Sequence, residues 1–420
     1  MLFNTLAEWL AWQETLHPQS IDLGLARVSR VLDRMALPSH RPFTISVGGT
    51  NGKGSCVAML DSILRTAGFR VGTYTSPHIL RYNERICVDG QPLGDDRIMQ
   101  SFQRIDEQRE GTSLSFFEFS TLAALDIFST EHLDVQILEV GLGGRLDAVN
   151  VVDADIALIA TIDIDHQEWL GNTRESIGHE KAGILRAGRP AVIADPDVPQ
   201  SVLRTAETQG VRLHRQGHEF GFQRDGGTWS WRGNGTPLTG LPYPAIPGDH
   251  QLLNASAVIQ CLQLAHLEPP VTDASICRGL TDVRLPGRFQ YFPGVIPVLL
   301  DVAHNPQAVG ILAGHLRQHY SGRRIRAVFS VMRDKDIVGM INLIREVVDC
   351  WYLAPLQMPR AASPEELSRI LHNAGVLRVQ LGFNDVTDAC RAARSEANPG
   401  DLLLVFGSFF LVSDYLANVA

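Results

Sequence analysis

Residues 48–55 read Gly-Gly-Thr-Asn-Gly-Lys-Gly-Ser, directly after the apolar run FTISV (43–47) and before a stretch with helical apolar spacing from Lys53 to about Ala67. Glycines let backbone N–H groups converge on a phosphate, and the helix N-terminus that follows adds a favourable dipole. A lysine placed here reaches the β- and γ-phosphates, and a nearby hydroxyl binds Mg2+. The spacing departs from the ordinary phosphate loop. Only three residues lie between Gly48 and Gly52, and Gly54 separates Lys53 from Ser55. A turn with no ligand is the alternative; strand, loop, lysine and helix in that order favour a nucleoside triphosphate.

Further groups stand where apolar runs end. In LEVGLGGRLDAVN (138–150), Glu139 closes a strand, where ligands of parallel sheets gather and a carboxylate can hold Mg2+. A Glu satisfied by neighbouring backbone is the alternative. The glycines after it let a substrate approach the backbone, and Asp147 can accept from an amine. His166 follows the acidic loop of TIDIDHQEWLG (161–171), and Ser76 lies in TSPH (75–78). Arg81 to Arg85 come next, as ligands or as a solvated face. On its own pattern, Lys181 in ESIGHEKAGI (175–184) is an exposed helical lysine. Arg288 in PGRFQ (286–290) offers a planar fork to phosphates. In DVAHNP (301–306), Asp301 ends a strand, and Asn305 with Pro306 reads as a helix cap. Phe116 and Phe117 in SFFEF (115–119) are suited to a flat ring or to the core.

These groups need strands to position them. FTISV, RVGTYT (70–75), DVQILEV (134–140), DIALIAT (155–161) and PAVIAD (190–195) read as strands, with helices over 53–67 and 116–131. The alternation predicts βαβ units and a parallel sheet. Residues 217–247 are rich in Gly, Pro and aromatics and predict a small antiparallel hairpin region, followed by a helix over 252–267. LPGRF (285–289) marks a boundary. Beyond it a second alternation begins, with strands at 298–303, 323–331, 349–355 and 401–407 and amphipathic stretches near 306–319, 336–347, 363–373 and 385–396. The expected fold is α/β: a P-loop ATPase domain with a mainly parallel sheet over 1–285, and a smaller Rossmann-like α/β domain over 286–420.

Composition agrees with this. The 420 residues are 45% hydrophobic and 20% charged, as in ordinary globular chains, with net charge −9. An acidic balance argues against a nucleic-acid scaffold but not against a locally basic pocket. The six cysteines are scattered without a CxxC, so they read as reduced thiols of a cytoplasmic protein. Residues 1–17 carry Glu8 and Glu14 and no basic region, which reads as an amphipathic helix, not a signal peptide. No apolar run approaches the ~18 residues of a membrane span.

TNGKG-[ST] after a strand resembles the Mur-ligase superfamily and, within it, the folylpolyglutamate synthases, more closely the bacterial bifunctional dihydrofolate synthase/folylpolyglutamate synthase group. The likeness runs from IDLGLARV (21–28) to FGSFFLV (406–412). It implies ATP-dependent ligation of L-glutamate to dihydropteroate, and to the γ-carboxylate of tetrahydrofolate and its one-carbon forms, through an acyl phosphate. It gives ATP contacts to Thr50, Asn51, Gly52, Lys53, Gly54, Ser55, Asn254, Arg288 and Asp301. It implies two Mg2+ sites using Ser76, Glu139, His166 and a carbamylated Lys181, and a catalytic set of Lys53, Glu139, His166 and Lys181. Asp22, Leu23, Gly24, Ser115, Phe116, Phe117, Glu118, Leu146, Asp147, Ala148 and His304 carry the substrate roles. The family further implies a monomer, with neither nucleic acid nor membrane as partner. A folylpolyglutamate synthase alone, or another Mur-type amino-acid ligase, is the near alternative. A nucleotide switch without ligation would leave Glu139, His166 and Lys181 without a purpose.

Overall fold

Strands made of Ile, Val and Leu on both faces belong in a sheet covered on both sides, and the central strands here have that composition. The computed structural model describes residues 2–19, 21–38 and 41–419. The chain divides into two compact units, Met1–Ala245 with Gln251–Arg284, and Ile246–His250 with Leu285–Ala420.

In the first unit, β1 (Phe43–Gly48), β2 (Val71–Tyr74), β3 (Ile86–Val88), β4 (Gln91–Pro92), β5 (Val135–Glu139), β6 (Ile156–Ile159), β7 (Pro190–Ile193) and β8 (Arg212–Arg215) form one sheet. Its order is β4-β3-β2-β5-β1-β6-β7-β8. β3 pairs antiparallel with both β2 and β4, while the run β2-β5-β1-β6-β7-β8 is parallel throughout. The register sets Glu139 beside Val47, Tyr74 beside Leu138 and Gly48 beside Ile159, so the C-terminal ends of β2, β5, β1 and β6 lie in a row.

Helix Lys53–Thr66 starts where the sequence predicts. Helix Phe116–Phe128 ends sooner than the expected 131, because the hydroxyls of Ser129 and Thr130 turn back onto the carbonyls of Asp126 and Ile127. The N-terminal helix Leu6–Leu16 is held by a Thr5/Glu8 capping box. It buries Trp9 against Phe102, which in turn meets Phe119 edge-on at 5.3 Å. The Gly- and Pro-rich segment forms the expected antiparallel sheet from β9 (Gly221–Asp225), β10 (Thr228–Arg232) and β11 (Leu238–Leu241). Buried Trp229 and Trp231 donate their indole N–H groups to the carbonyls of Pro242 and Ser256.

The second unit holds β12 (Gln290–Phe292), β13 (Val298–Asp301), β14 (Ile325–Phe329), β15 (Cys350–Leu353), β16 (Val379–Gln380) and β17 (Leu402–Phe406), ordered β12-β13-β17-β14-β15-β16. All but β12 are parallel. One apolar cluster on this sheet centres on Phe329, Trp351 and Phe406, and another on Tyr352, Val405 and Tyr415. No helix among the described residues is long and apolar enough to cross a membrane.

Candidate active site

The glycines of the turn after β1 are dictated by space as well as by conformation. Gly49 has φ +144°, and a Cβ there would sit 3.0 Å from the Cβ of Ala160. Gly52 has φ +89°, and a Cβ would meet Oδ1 of Asn254 at 2.7 Å. The strand-end loop after β6 fastens this turn. The Thr50 N–H donates to the Thr161 carbonyl at 2.6 Å, and its hydroxyl donates to the Asp163 carbonyl at 2.9 Å. Thr161 Oγ1 accepts from the Asn51 N–H and donates to the Asn51 carbonyl. Lys53 Nζ folds back onto the carbonyls of Gly49 and Thr50, at 2.9 and 3.1 Å. The buried Asn254 on helix Gln251–Ala265 thus stands against the turn, held by a bond from its Nδ2 to Gln251 Oε1.

Glu139 is almost fully buried at the end of β5 and accepts the Ser76 N–H at 3.2 Å. This joins two of the residues assigned to the metals. His166 takes a left-handed conformation, φ +50°, with its N–H bonded to Asp165 Oδ1.

Lys181 corrects the reading from pattern alone. It is 2% exposed, not a surface lysine. Gly144 explains the burial: a Cβ there would lie 2.9 Å from the Glu180 carbonyl and 3.2 Å from the Lys181 Cα. The bare glycine turn therefore lets helix Arg174–Ala182 pack down, and the Arg145 N–H caps the Glu180 carbonyl at 2.8 Å. Burial, then the nearby Lys53 cation, pushes the Lys181 amine down to about 7, against the pull of Asp165 and Asp147.

Residues 21–24, 115–118 and 146–148, far apart in sequence, line one cavity of about 250 Å³ together with Ser76, Pro77, Arg85, Gly141 and Leu142. Asp22, Leu23, Gly24, Ser115, Phe116, Phe117, Glu118, Leu146, Asp147 and Ala148 are all in its wall. Phe116 and Phe117 serve twice, lining the cavity and packing on the core. Ser115 and Glu118 also form the capping box of their helix. Asp22 is bound by His17 Nε2 at 3.0 Å and Arg27 at 2.6 Å, and Arg27 reaches Glu118 at 3.1 Å. Asp147 accepts the N–H groups of Leu142 and Val149, each at 3.0 Å. Burial nevertheless pushes its carboxyl up to about 6. Burial, with the Arg85 cation beside it, pushes His78 down to about 4.

Arg288, Asp301 and His304 belong to the second unit. The buried Asp301 accepts the Phe289 and Ala303 N–H groups at 3.0 and 2.8 Å. Its pKa is raised by burial, with Arg288 opposing. The Arg288 guanidinium lies 5.1 Å from the Phe409 ring, which also approaches His304. Asn305 caps helix Pro306–His319 as expected.

Sequence reasoning passed over Thr161, Asp163 and Asp165, left Arg85 undecided, and gave the FGSFF loop (406–410) a part in the glutamate pocket without singling out Phe409. The first three lie in the acidic strand-end loop whose His166 drew the attention. Phe409 lies in the FGSFF loop, where a pattern shows apolar residues but not their neighbours.

Of the residues assigned to the metals, Glu139 and Ser76 meet through the Ser76 N–H; a carboxylate and a hydroxyl are oxygen ligands of the kind a hard cation takes beside waters and phosphate oxygens, whereas a bare lysine amine is not. Among the described residues no three His, Cys, Asp or Glu gather as a dedicated metal cage.

Comparison with known proteins agrees with this geometry. The family "Mur ligase, glutamate ligase domain" matches residues 287–409. The dihydrofolate synthase/folylpolyglutamate synthase of Escherichia coli (strain K12) is 42% identical over 98% of this chain and 94% of its own length. A structure of E. coli FolC in complex with DHPP and ADP superimposes with TM-score 0.93 at 41% identity, covering 99% of this chain and 97% of that one. A bifunctional folylpolyglutamate synthase/dihydrofolate synthase with Mn, AMPPNP and L-glutamate bound gives 0.90 at 44% identity, covering 99% and 98%. Identity at this level over nearly all of both chains establishes that this chain belongs to the dihydrofolate synthase/folylpolyglutamate synthase family of Mur-type ligases.

Proposed function

We propose that the protein ligates L-glutamate to dihydropteroate and to the γ-carboxylate of tetrahydrofolates, using ATP and Mg2+. The observation that carries this is the cavity. The three segments assigned to the pterin acceptor line one space, and that space shares Ser76 with the Glu139 cluster beside the phosphate loop.

The acceptor carboxylate attacks the γ-phosphorus, and the bond to the bridging oxygen of ADP breaks, giving an acyl phosphate. The glutamate amine then attacks the acyl carbon, loses a proton, and inorganic phosphate leaves. Such transfer needs positioning and charge neutralisation above all. The turn glycines present backbone N–H groups to the phosphates, and Lys53 exchanges its two carbonyl partners for phosphate oxygens. Asn254 contacts the nucleotide. Arg288, Asp301 and His304 take the nucleotide and glutamate roles that the family resemblance gives them. Ser76, Glu139, His166 and carbamylated Lys181 would hold Mg2+. Bound Mg2+ supplies positive charge to the transferring phosphoryl group. Asp22, Asp147 and the two phenylalanines orient the pterin, with Asp147 offering its remaining lone pairs to an N–H of the ring.

The test is ADP release with Mg2+-ATP and L-glutamate, comparing dihydropteroate and tetrahydrofolate, with products weighed by mass spectrometry. Release with both, each product gaining one glutamyl group, is expected. Release with tetrahydrofolate alone reduces the activity to folylpolyglutamate synthesis. Release with neither refutes the acceptor reading.

A further inference from the structure

Arg85 is the residue of the acceptor cavity whose charge the fold leaves unanswered. It ends the short 3-10 turn Tyr82–Arg85, is 9% exposed, and lines the cavity. Its Nε donates to His78 Nδ1 at 2.9 Å, and its guanidinium stacks between the rings of Phe116 at 5.3 Å and Tyr82 at 5.7 Å. These contacts fix the plane of the fork and use one of its five N–H groups. Among the described residues no carboxylate pairs with it.

The acids nearby are engaged elsewhere. Glu84 accepts the N–H groups of Ile79, Leu80 and Arg81. Asp22 and Glu118 hold Arg27, and Asp147 holds Leu142 and Val149. A buried guanidinium without an anion is costly to fold, and supplying the anion recovers that cost. The flat fork takes carboxylate or phosphate in two-pronged fashion, and the group that an acceptor lying along Phe116 and Phe117 brings to this wall is a carboxylate. Ser76 lines the same cavity with its N–H on Glu139, so the cavity that Arg85 lines adjoins Glu139.

We infer that Arg85 binds the carboxylate of the acceptor through its terminal nitrogens and so sets the depth at which the aromatic acid seats. The inference rests on the acceptor reading above and assigns this wall of the cavity a substrate group. In dihydropteroate that carboxylate is the one to be activated; in a folate, the α-carboxylate of the glutamyl tail lies closest to the same ring.

Binding, not turnover, tests it. Dihydropteroate and its decarboxylated analogue, identical but for hydrogen in place of the carboxylate, are titrated against the full chain in the presence of Mg2+-ADP. The unsubstituted protein should prefer the acid by about 30-fold. Arg85→Met, which keeps the stacked stem, should narrow that preference to about 3-fold or less while leaving the analogue's affinity unchanged. Arg85→Lys should retain an intermediate preference, and it serves if the methionine variant fails to fold. Equal weakening of both ligands in either variant would make Arg85 structural and overturn the inference. So would an unsubstituted protein with no preference for the acid. Failure of the unsubstituted protein to bind either ligand overturns the acceptor reading itself, which is a different result.

Discussion

Replacing Asp147 with asparagine should separate stability from activity. Burial raises this carboxyl from 3.8 to about 6 in the folded protein. A group whose folded pKa lies above its unfolded value stabilises the fold while it holds its proton. That contribution is complete below pH 3.8 and is lost as pH rises through about 6. At ~1.4 kcal/mol for each tenfold in acidity, the ionised form sets about 3 kcal/mol against folding. Asparagine removes this term. In exchange its amide NH2 must face either the Leu142 or the Val149 N–H, both now at 3.0 Å from a carboxylate oxygen. Such a donor–donor conflict costs about 1–3 kcal/mol. The two effects nearly cancel at about pH 8, so the melting temperature should stay within roughly 5 °C of the original. Loss of a charged acceptor for the pterin should still lower kcat/KM for dihydropteroate by about 10- to 150-fold. The unsubstituted enzyme should also gain kcat/KM as pH rises through about 6, and the variant should not. Thermal unfolding and initial rates across that range decide the matter. A melting temperature lowered by more than about 10 °C, or an unchanged kcat/KM, would refute the reasoning.

Other substitutions probe other parts. Lys53→Ala should cut ADP release with either acceptor by about 10²–10³-fold, the loss typical of a donor aimed at developing charge; near-normal release would remove Lys53 from the chemistry. Gly141→Ala places a Cβ 2.7 Å from the Phe117 ring, so about 1–3 kcal/mol of strain should raise KM for the acceptor by about 5- to 150-fold, with ADP affinity unchanged in equilibrium titration. Lys181, lowered to about 7, is about half neutral at pH 7, and the neutral amine is the form that takes up CO2. Turnover should fall on degassing and recover with bicarbonate, whereas Lys181→Met should be inactive and unresponsive. Clear density for an unmodified Nζ in a nucleotide- and Mg2+-bound crystal would contradict carbamylation.

What could be read from the sequence follows from what each signal encodes. β1, β5 and β6 announce themselves because both faces are apolar, and the loop after β1 because few uses other than phosphate binding require that order of glycines and lysine. Helix Asp95–Arg109 passed unnoticed: charged and polar residues dominate it, and only Ile98, Met99, Ser101, Phe102 and Ile105 are buried. β8 reads Arg-Leu-His-Arg, with one aliphatic residue in four, because an edge strand needs less apolar surface. The pterin segments were found through family resemblance, since no periodicity links residues 21–24 to 146–148. Lys181 and Arg85 have a common lesson. A charged residue on a polar pattern looks solvated, and only the packing of Gly144 under one, or of Phe116 and Tyr82 around the other, shows it buried.

The central claim is that the acceptor carboxylate is activated by phosphoryl transfer. It is tested most directly by following ¹⁸O. With dihydropteroate labelled in both carboxylate oxygens, Mg2+-ATP and L-glutamate, each turnover should deliver one labelled oxygen to inorganic phosphate and leave one in the new amide carbonyl. Phosphate free of label, released at the rate of amide formation, would contradict the account.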